Sequence, residues 1–170
     1  MPLPVTVAVL EPPAVPLIVT SPVAKPVWAK LSANTDRVVE IAGAAASSGA
    51  AAVTLINTML GMQISLVSAG PVLGNGGGGL SGPPIHAIAV RAVHDVAVAL
   101  PHVDIIGVGG ISDGSGAVEM MMVGAKAVQV GTATFARPDA CARVLAGAAR
   151  IVRSGGGTSW GSVHRRALGE

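Results

Sequence analysis

The stretch DIIGVGGISDGSGAVEMMMVGAKAVQVGT, residues 104–132, decides the fold. It opens with an apolar run at 104–108 and closes with another at 127–130. Between them, Ser112 or Asp113 is placed to cap a helix that ends at Gly124. Two continuous apolar strands joined through a helix are typical of a parallel βαβ unit that is buried on both faces.

The same pattern extends towards both ends of the chain. Strands are predicted at 27–31 and 53–56, and a last helix is predicted from Pro138 to Gly155. The first helix should be capped within 34–36 and end at Gly49. A weak repeat, Gly-Ala-x-Ala-Val, recurs at each helix exit. The fold class is therefore α/β, a TIM-type (β/α)8 barrel of which about four βα units are present, a half-barrel.

Composition limits the function classes. The chain has 170 residues, a net charge of +2, 51% hydrophobic residues, 2% aromatic residues and one cysteine. Scattered basic residues and few aromatics argue against nucleic-acid binding. One cysteine excludes a disulfide framework or a cysteine-based metal cage, and the cytoplasm is the default location. Prolines interrupt the apolar start of the chain, so neither a signal peptide nor a membrane span is expected.

Three segments are expected. Residues 1–24 form a Pro-rich extended lead-in that can be neither a regular helix nor a central strand, residues 25–155 form the half-barrel, and residues 156–170 form a Gly-rich basic tail that frays. One connection, from Ile56 to about Pro84, is far longer than an ordinary βα loop. Its glycine run fits either a functional lid or a disordered insertion.

Glycines follow two consecutive strands. Gly109-Gly110 comes directly after one strand, and Gly131-Thr132 follows the next. In α/β barrels, such ends bind phosphate through bare backbone N–H groups, and glycine lets the phosphate approach. A phosphate site is favoured over simple turn chemistry.

Two other strand ends are ambiguous from the residues alone. Lys30 lies in an apolar strand, where it either stabilises negative charge on a ligand or snorkels to solvent, and the second interpretation is favoured. Asn57-Thr58 either binds a ring of alternating donors and acceptors or turns the loop.

The remaining reactive side chains are interpreted as structural. Cys141 is expected to pack on an apolar helix face, and Met120-Met121-Met122 to fill the core. The four histidines show no metal spacing and are expected to be solvated or on helix surfaces: His86, His94, His102 and His164.

Six motifs, in order and spacing, resemble dihydroorotate dehydrogenase. They lie at 30–34, 54–58, 61–62, 78–83, 106–111 and 128–133. The resemblance covers about residues 22–140 and is closest to the class 1B catalytic subunit. Dihydropyrimidine dehydrogenase, which has a similar barrel, is a weaker match.

The resemblance implies an FMN-dependent enzyme that oxidises dihydroorotate to orotate in pyrimidine biosynthesis. Lys30 would lie beside the isoalloxazine and favour its reduced anion, and Ile56 would pack on the flavin. Asn57 and Thr58 would bind the orotate ring. The remaining FMN contacts would come from Gly82, Gly109, Gly110, Gly131 and Thr132, the last four around the phosphate.

The chain departs from the family in what it lacks. The motifs belong to the second half of the family barrel, so the first half, with its Cys or Ser base, is missing, and no catalytic residue is assigned. Cys141 does not match that base. The alternative is an inactive fragment or a residual FMN-binding module. Expected partners are dihydroorotate, an electron-transfer subunit with flavin and iron–sulfur centres, and further copies of the chain on the exposed half-barrel edges.

Overall fold

A five-stranded parallel sheet organises the computed structural model, which describes residues 5–10 and 25–169. Its strands lie in the order β1-β2-β3-β6-β7, so β1 and β7 form its edges. The register places Lys30 opposite Thr54, and Thr54 opposite Ile106. The strands of the chain are β1 (Val5–Leu10), β2 (Val27–Leu31), β3 (Ala52–Leu55), β4 (Met59–Gly61), β5 (Gly78–Leu80), β6 (Ile105–Val108) and β7 (Ala127–Gln129).

Helices follow the sheet strands in alternation. They are α1 (Val38–Ser47), α2 (His86–Ala99), α3 (Gly114–Met122), α4 (Ala133–Ala136) and α5 (Ala140–Ser154). Each of β2, β3, β6 and β7 therefore leads into a helix, which confirms the α/β class and the parallel sheet. The predicted strands are confirmed to within one residue at each end.

The core between the sheet and its helices is aliphatic. Leu31, Leu55 and Val53 from the strands are fully buried, as are Val93 of α2 and Met120 of α3, and all five belong to one core cluster. Met120 and Met121 are buried as predicted, and Met122 packs against the same cluster. Burial of these apolar side chains contributes about 25 cal/mol per Å².

Of the predicted helix caps, the one for α3 is confirmed and the one for α1 was wrong. Asp113 caps α3, because its carboxylate accepts hydrogen bonds from the Ser115 and Gly116 amides at 3.0 and 3.1 Å. The prediction of a cap for α1 within 34–36 was wrong. That helix begins after Arg37 and has no side-chain cap, and the Asn34 side chain is engaged with the chain near Thr58 instead.

The long connection after β3 is a hairpin. Strands β4 and β5 pair antiparallel, and a bridge between Ile64 and Pro71 continues the ladder towards the tip. The connection is thus ordered by its own backbone hydrogen bonds. It also holds exposed apolar side chains, among which Leu66 and Val67 are each 98% exposed.

The start of the chain gives one further strand. The edge strand β1 is parallel to β2 and lies between the prolines of the predicted lead-in. An extended, edge position is the one that such a segment can adopt. The rest of the lead-in, 1–4 and 11–24, lies outside the described residues.

The prediction that the tail frays was wrong. Residues after α5 form two 3₁₀ turns, at Trp160–Ser162 and Arg166–Leu168, and Val163 is buried in the core cluster. The Arg165 backbone amide donates to the Met121 carbonyl at 3.0 Å. The tail therefore packs back onto the carboxyl end of α3.

The prediction for Cys141 was also wrong. The buried face of α5 consists of Ala140, Val144, Ala148 and Val152. Cys141 lies one residue beyond that stripe and is exposed. The last helix begins at Ala140, near Pro138 as predicted, and Asp139 occupies the cap position.

The described helices are all too short or too polar for a bilayer. Across residues 5–10 and 25–169, none could cross a membrane.

Candidate functional site

A cavity of about 1070 Å³ opens at the carboxyl ends of the parallel strands. Ligand sites of open α/β sheets lie at this edge, where the loops after the strands converge. All nine residues predicted to bind cofactor or substrate line the cavity: Lys30, Ile56, Asn57, Thr58, Gly82, Gly109, Gly110, Gly131 and Thr132. These residues are up to about a hundred positions apart in the sequence, and the fold brings them together in one cavity.

The turn at Gly109-Gly110 requires glycine. Both residues have positive φ, 140° and 66°. A Cβ on Gly109 would lie 2.6 Å from the Ala89 Cβ, and one on Gly110 would lie 2.8 Å from the Gly82 carbonyl oxygen. The backbone therefore passes tightly between α2 and the Gly82 segment, in a path closed to any side chain.

The His86 side chain is hydrogen-bonded to the backbone of this turn. Its Nδ1 lies 2.8 Å from the Gly109 carbonyl oxygen, and its Nε2 lies 3.2 Å from a Glu119 carboxylate oxygen. Since a carbonyl only accepts, Nδ1 is the donor in the hydrogen bond to Gly109. His86 was predicted to be solvated or on a helix surface; it is the first residue of α2, but its side chain is only 19% exposed. His164 is likewise part-buried, with Nε2 at 3.2 Å from the Gly124 carbonyl.

Gly131 differs from the first glycine pair. An added Cβ there would meet no atom within 4 Å, and its φ lies outside the left-handed region. The open space is the cavity itself. Within residues 25–169, the backbone amides of Gly110, Gly131 and Thr132 donate no hydrogen bond. These amides form a glycine-lined cradle of free donors, which is the chemistry that phosphate binding requires.

Lys30 extends into the cavity from β2. Burial lowers the pKa of its ammonium below the ordinary value of 10.5, because desolvation penalises the charged form. On the neighbouring strand, Thr54 is in register with it. The Thr54 hydroxyl is buried without a hydrogen-bond partner among the described residues.

Asn57 and Thr58 are held where β3 leaves the sheet. The peptide bond between Leu55 and Ile56 is cis. The backbone N–H of Asn57 donates a hydrogen bond to the Leu31 carbonyl at 2.9 Å. Both side chains are half-buried and line the cavity.

The electrostatics of the cavity favour an anionic ligand. Besides Lys30, it is lined by Arg137, Arg143, Arg150 and Arg153. Among the described residues the one carboxylate in its lining is Asp113. Hydrogen bonds from the Ser115 side chain and the Gly116 amide lower the pKa of Asp113, so it remains ionised as the α3 cap. No group of three or more potential metal ligands occurs within the described part of the chain.

A lysine, an amide-hydroxyl pair and two glycine turns therefore line one cavity at the strand ends of a parallel α/β sheet. The profile of the dihydroorotate dehydrogenase family matches residues 11–152. The chain therefore belongs to the dihydroorotate dehydrogenase family. The match begins inside the segment expected to be a lead-in.

Curated relatives of two named types match the chain. The chain is 47% identical to dihydroorotate dehydrogenase A (fumarate) of Lactiplantibacillus plantarum over 131 residues, 76% of this chain and 42% of that protein. It is 52% identical to the catalytic subunit of dihydroorotate dehydrogenase B (NAD(+)) of Solidesulfovibrio magneticus over 122 residues, 71% of this chain and 39% of that protein. The chain thus spans about two fifths of the length of the curated relatives it matches.

Proposed function

We propose that this chain is the FMN-binding and orotate-binding half of a TIM-type dihydroorotate dehydrogenase barrel, acting in pyrimidine biosynthesis. The observation that supports it most is the cavity at the strand ends, which gathers all nine residues expected to bind FMN or orotate. A parallel sheet with two open edges, β1 and β7, is what half of such a barrel presents.

The residues of the cavity fit FMN. The phosphate would be held by the free amides of Gly110, Gly131 and Thr132, with Gly109 shaping the turn. The open space in front of Gly131 would admit it. Bound FMN would accept the hydride removed from the substrate.

Lys30 and Ile56 would serve the flavin ring. The Lys30 ammonium would stabilise negative charge that develops on the ring, an effect that its partial burial strengthens. Ile56 is buried and lines the cavity directly after β3, where it would pack against the ring face. Gly82 also lines the cavity and lies close to Thr132.

Asn57 and Thr58 would recognise the ring of the substrate. An amide offers both a donor and an acceptor, and a hydroxyl does the same, which matches alternating N–H and C=O groups on dihydroorotate and orotate. The two residues would thereby orient the substrate against the flavin.

Removal of the substrate proton would fall to a residue outside the described part of the chain. Cys141 lies exposed on α5 and lines a different cavity. The B-type relatives are named as catalytic subunits, which supports a partner subunit that accepts the electrons. The alternative, a residual FMN-binding module without turnover, would rest on the same cavity.

An orotate-formation assay tests the proposal. The chain is mixed with FMN, dihydroorotate and the first half of a related enzyme, and orotate is followed by its absorbance. We expect turnover in the mixture and a loss of about 10²-fold or more with Lys30→Ala or Asn57→Ala.

Two variants serve as controls. Lys25→Ala and Asn75→Ala remove the same side chains at exposed positions away from the cavity, so they should leave the rate unchanged. FMN binding without turnover in any mixture would favour the residual-binding alternative. A chain that binds no FMN would contradict both.

A further inference from the structure

The side chain of Asn34 connects two loops at the mouth of the cavity. Its amide nitrogen donates to the Thr58 carbonyl at 2.9 Å and to the Ser32 hydroxyl at 2.8 Å. Its carbonyl oxygen accepts from the Leu60 amide at 2.8 Å. Both donors and the acceptor of the amide group are therefore used, which few side chains can reproduce.

The segment that Asn34 contacts, residues 57–60, also bears the residues proposed to bind the ring. The Leu31 carbonyl holds the Asn57 amide on one side, while Asn34 holds the backbone at Thr58 and Leu60 on the other. The backbone is thus hydrogen-bonded at residues 57, 58 and 60, in each case to β2 or to the loop that follows it.

The hairpin closes over the same segment. A Cβ on Gly79 would lie 2.3 Å from the Thr58 hydroxyl oxygen, so the β5 backbone lies directly on the Thr58 side chain. Met59 of β4 is paired with Leu80. The position of the hairpin therefore determines where the Thr58 hydroxyl can point, and Asn34 fixes the hairpin where β4 begins.

We propose that Asn34 is a positioning residue that sets the pose of the ring ligand at Asn57 and Thr58. It acts through the backbone of Thr58 and Leu60 and does not line the cavity. The inference rests on the proposed function, since it takes orotate as the ring ligand. It concerns β2, β3 and the hairpin, whereas the phosphate cradle lies at the ends of β6 and β7.

Different substitutions separate the two contacts of the Asn34 side chain, its donation to the Thr58 carbonyl and its acceptance from the Leu60 amide. Asn34→Ala removes both contacts. Asn34→Asp keeps an acceptor for the Leu60 amide but places a carboxylate against the Thr58 carbonyl. Thr35→Ala is the matched control, because Thr35 accepts a hydrogen bond only from the nearby Arg37 amide, within the same loop.

The experiment titrates the FMN-loaded chain with orotate and follows the change in flavin absorbance. Amide hydrogen exchange at Leu60 is measured on the same samples. With Asn34→Ala we expect about tenfold weaker orotate binding and about tenfold faster exchange at Leu60. With Asn34→Asp the exchange should stay close to that of the unaltered chain, while orotate binding weakens. FMN affinity should change less than about threefold in all variants.

The outcomes distinguish this inference from the function it rests on. An unaltered chain that binds FMN but shows no orotate response contradicts the proposed function. A normal response that survives Asn34→Ala, or exchange at Leu60 that does not change, overturns the positioning role alone. Weakening by Thr35→Ala equal to that by Asn34→Ala would show a general loop effect and would also overturn it.

Discussion

Replacing Gly131 with leucine should abolish FMN retention while leaving the fold intact. The residue sits at the end of β7 with nothing within 4 Å of an added Cβ, and its φ is open to any residue. A leucine side chain would therefore extend into the cavity without disturbing the protein. It would occupy the space through which a phosphate approaches the backbone amides.

The expected effect of the substitution on FMN affinity is much larger than its expected effect on the free energy of unfolding. An exposed substitution without strain changes the free energy of unfolding by no more than about 0.5 kcal/mol. A hydrogen bond to a charged group is worth about 1.5–3 kcal/mol. Losing even one such bond from the phosphate raises the Kd for FMN by about 10- to 150-fold.

The assay measures FMN affinity by flavin fluorescence and stability by urea denaturation. Gly74→Leu is the control, since Gly74 on the hairpin also has open space and no positive φ but lies outside the cavity lining. Gly109→Ala is the contrast, because its Cβ would clash with Ala89 and should destabilise the fold itself. Unchanged FMN affinity in a folded Gly131→Leu protein would refute the phosphate cradle.

Three further predictions address charge, capping and assembly. Because burial lowers the pKa of Lys30, the unfolded chain binds more protons than the folded one just below pH 10.5; stability should rise with pH in that window, and urea titrations of Lys30→Met should lack the rise. Asp113→Ala should cost about 0.5–2 kcal/mol of unfolding free energy in urea, and Asp113→Asn less. Since the pKa of Asp113 is lowered in the folded state, its stabilising contribution is complete above its unfolded pKa of about 3.8 and disappears as the pH falls through the lowered value; an acid titration in which Asp113→Asn shows the same loss would contradict this. The open edges of the sheet should drive self-association at micromolar concentration, and a monomer in sedimentation velocity would contradict the half-barrel interpretation.

The regular part of the fold could be predicted because its signals are local. Continuous apolar runs at β2, β3, β6 and β7 allow few structures other than buried parallel strands. Glycines with positive φ, at Gly49 and Gly124, mark helix exits that the sequence also located. The glycines after β6 and β7 were located in the same way, whereas the other candidate site residues came from the family resemblance, and their roles stay predictions.

The errors arose where a side chain had distant partners. Asn34 has the residue type of a helix cap, but the Thr58 carbonyl and the Leu60 amide, more than twenty residues away, engage it instead. His86 reaches the Gly109 carbonyl across the turn. The tail was expected to fray because of its glycines, and tertiary burial of Val163 overrides that tendency. No local pattern encodes any of these contacts.

If the proposed function holds, the titratable groups of the cavity predict that this chain alone binds its ligands without turnover. Oxidation of dihydroorotate requires a hydride acceptor and a base, and FMN would provide only the first. Among the described residues that line the cavity, the titratable ones are Asp113, Lys30 and four arginines. Arginine stays protonated, Lys30 is the residue proposed to stabilise charge on the flavin ring, and the Asp113 carboxylate is held by three hydrogen bonds at the α3 cap with a lowered pKa. None of them is suited to remove a proton from carbon at neutral pH, and a general base is commonly worth about 10²–10⁴-fold in rate. In the proposed function the cavity would therefore supply charge stabilisation and positioning, and the proton would leave to a group outside the described residues that line it.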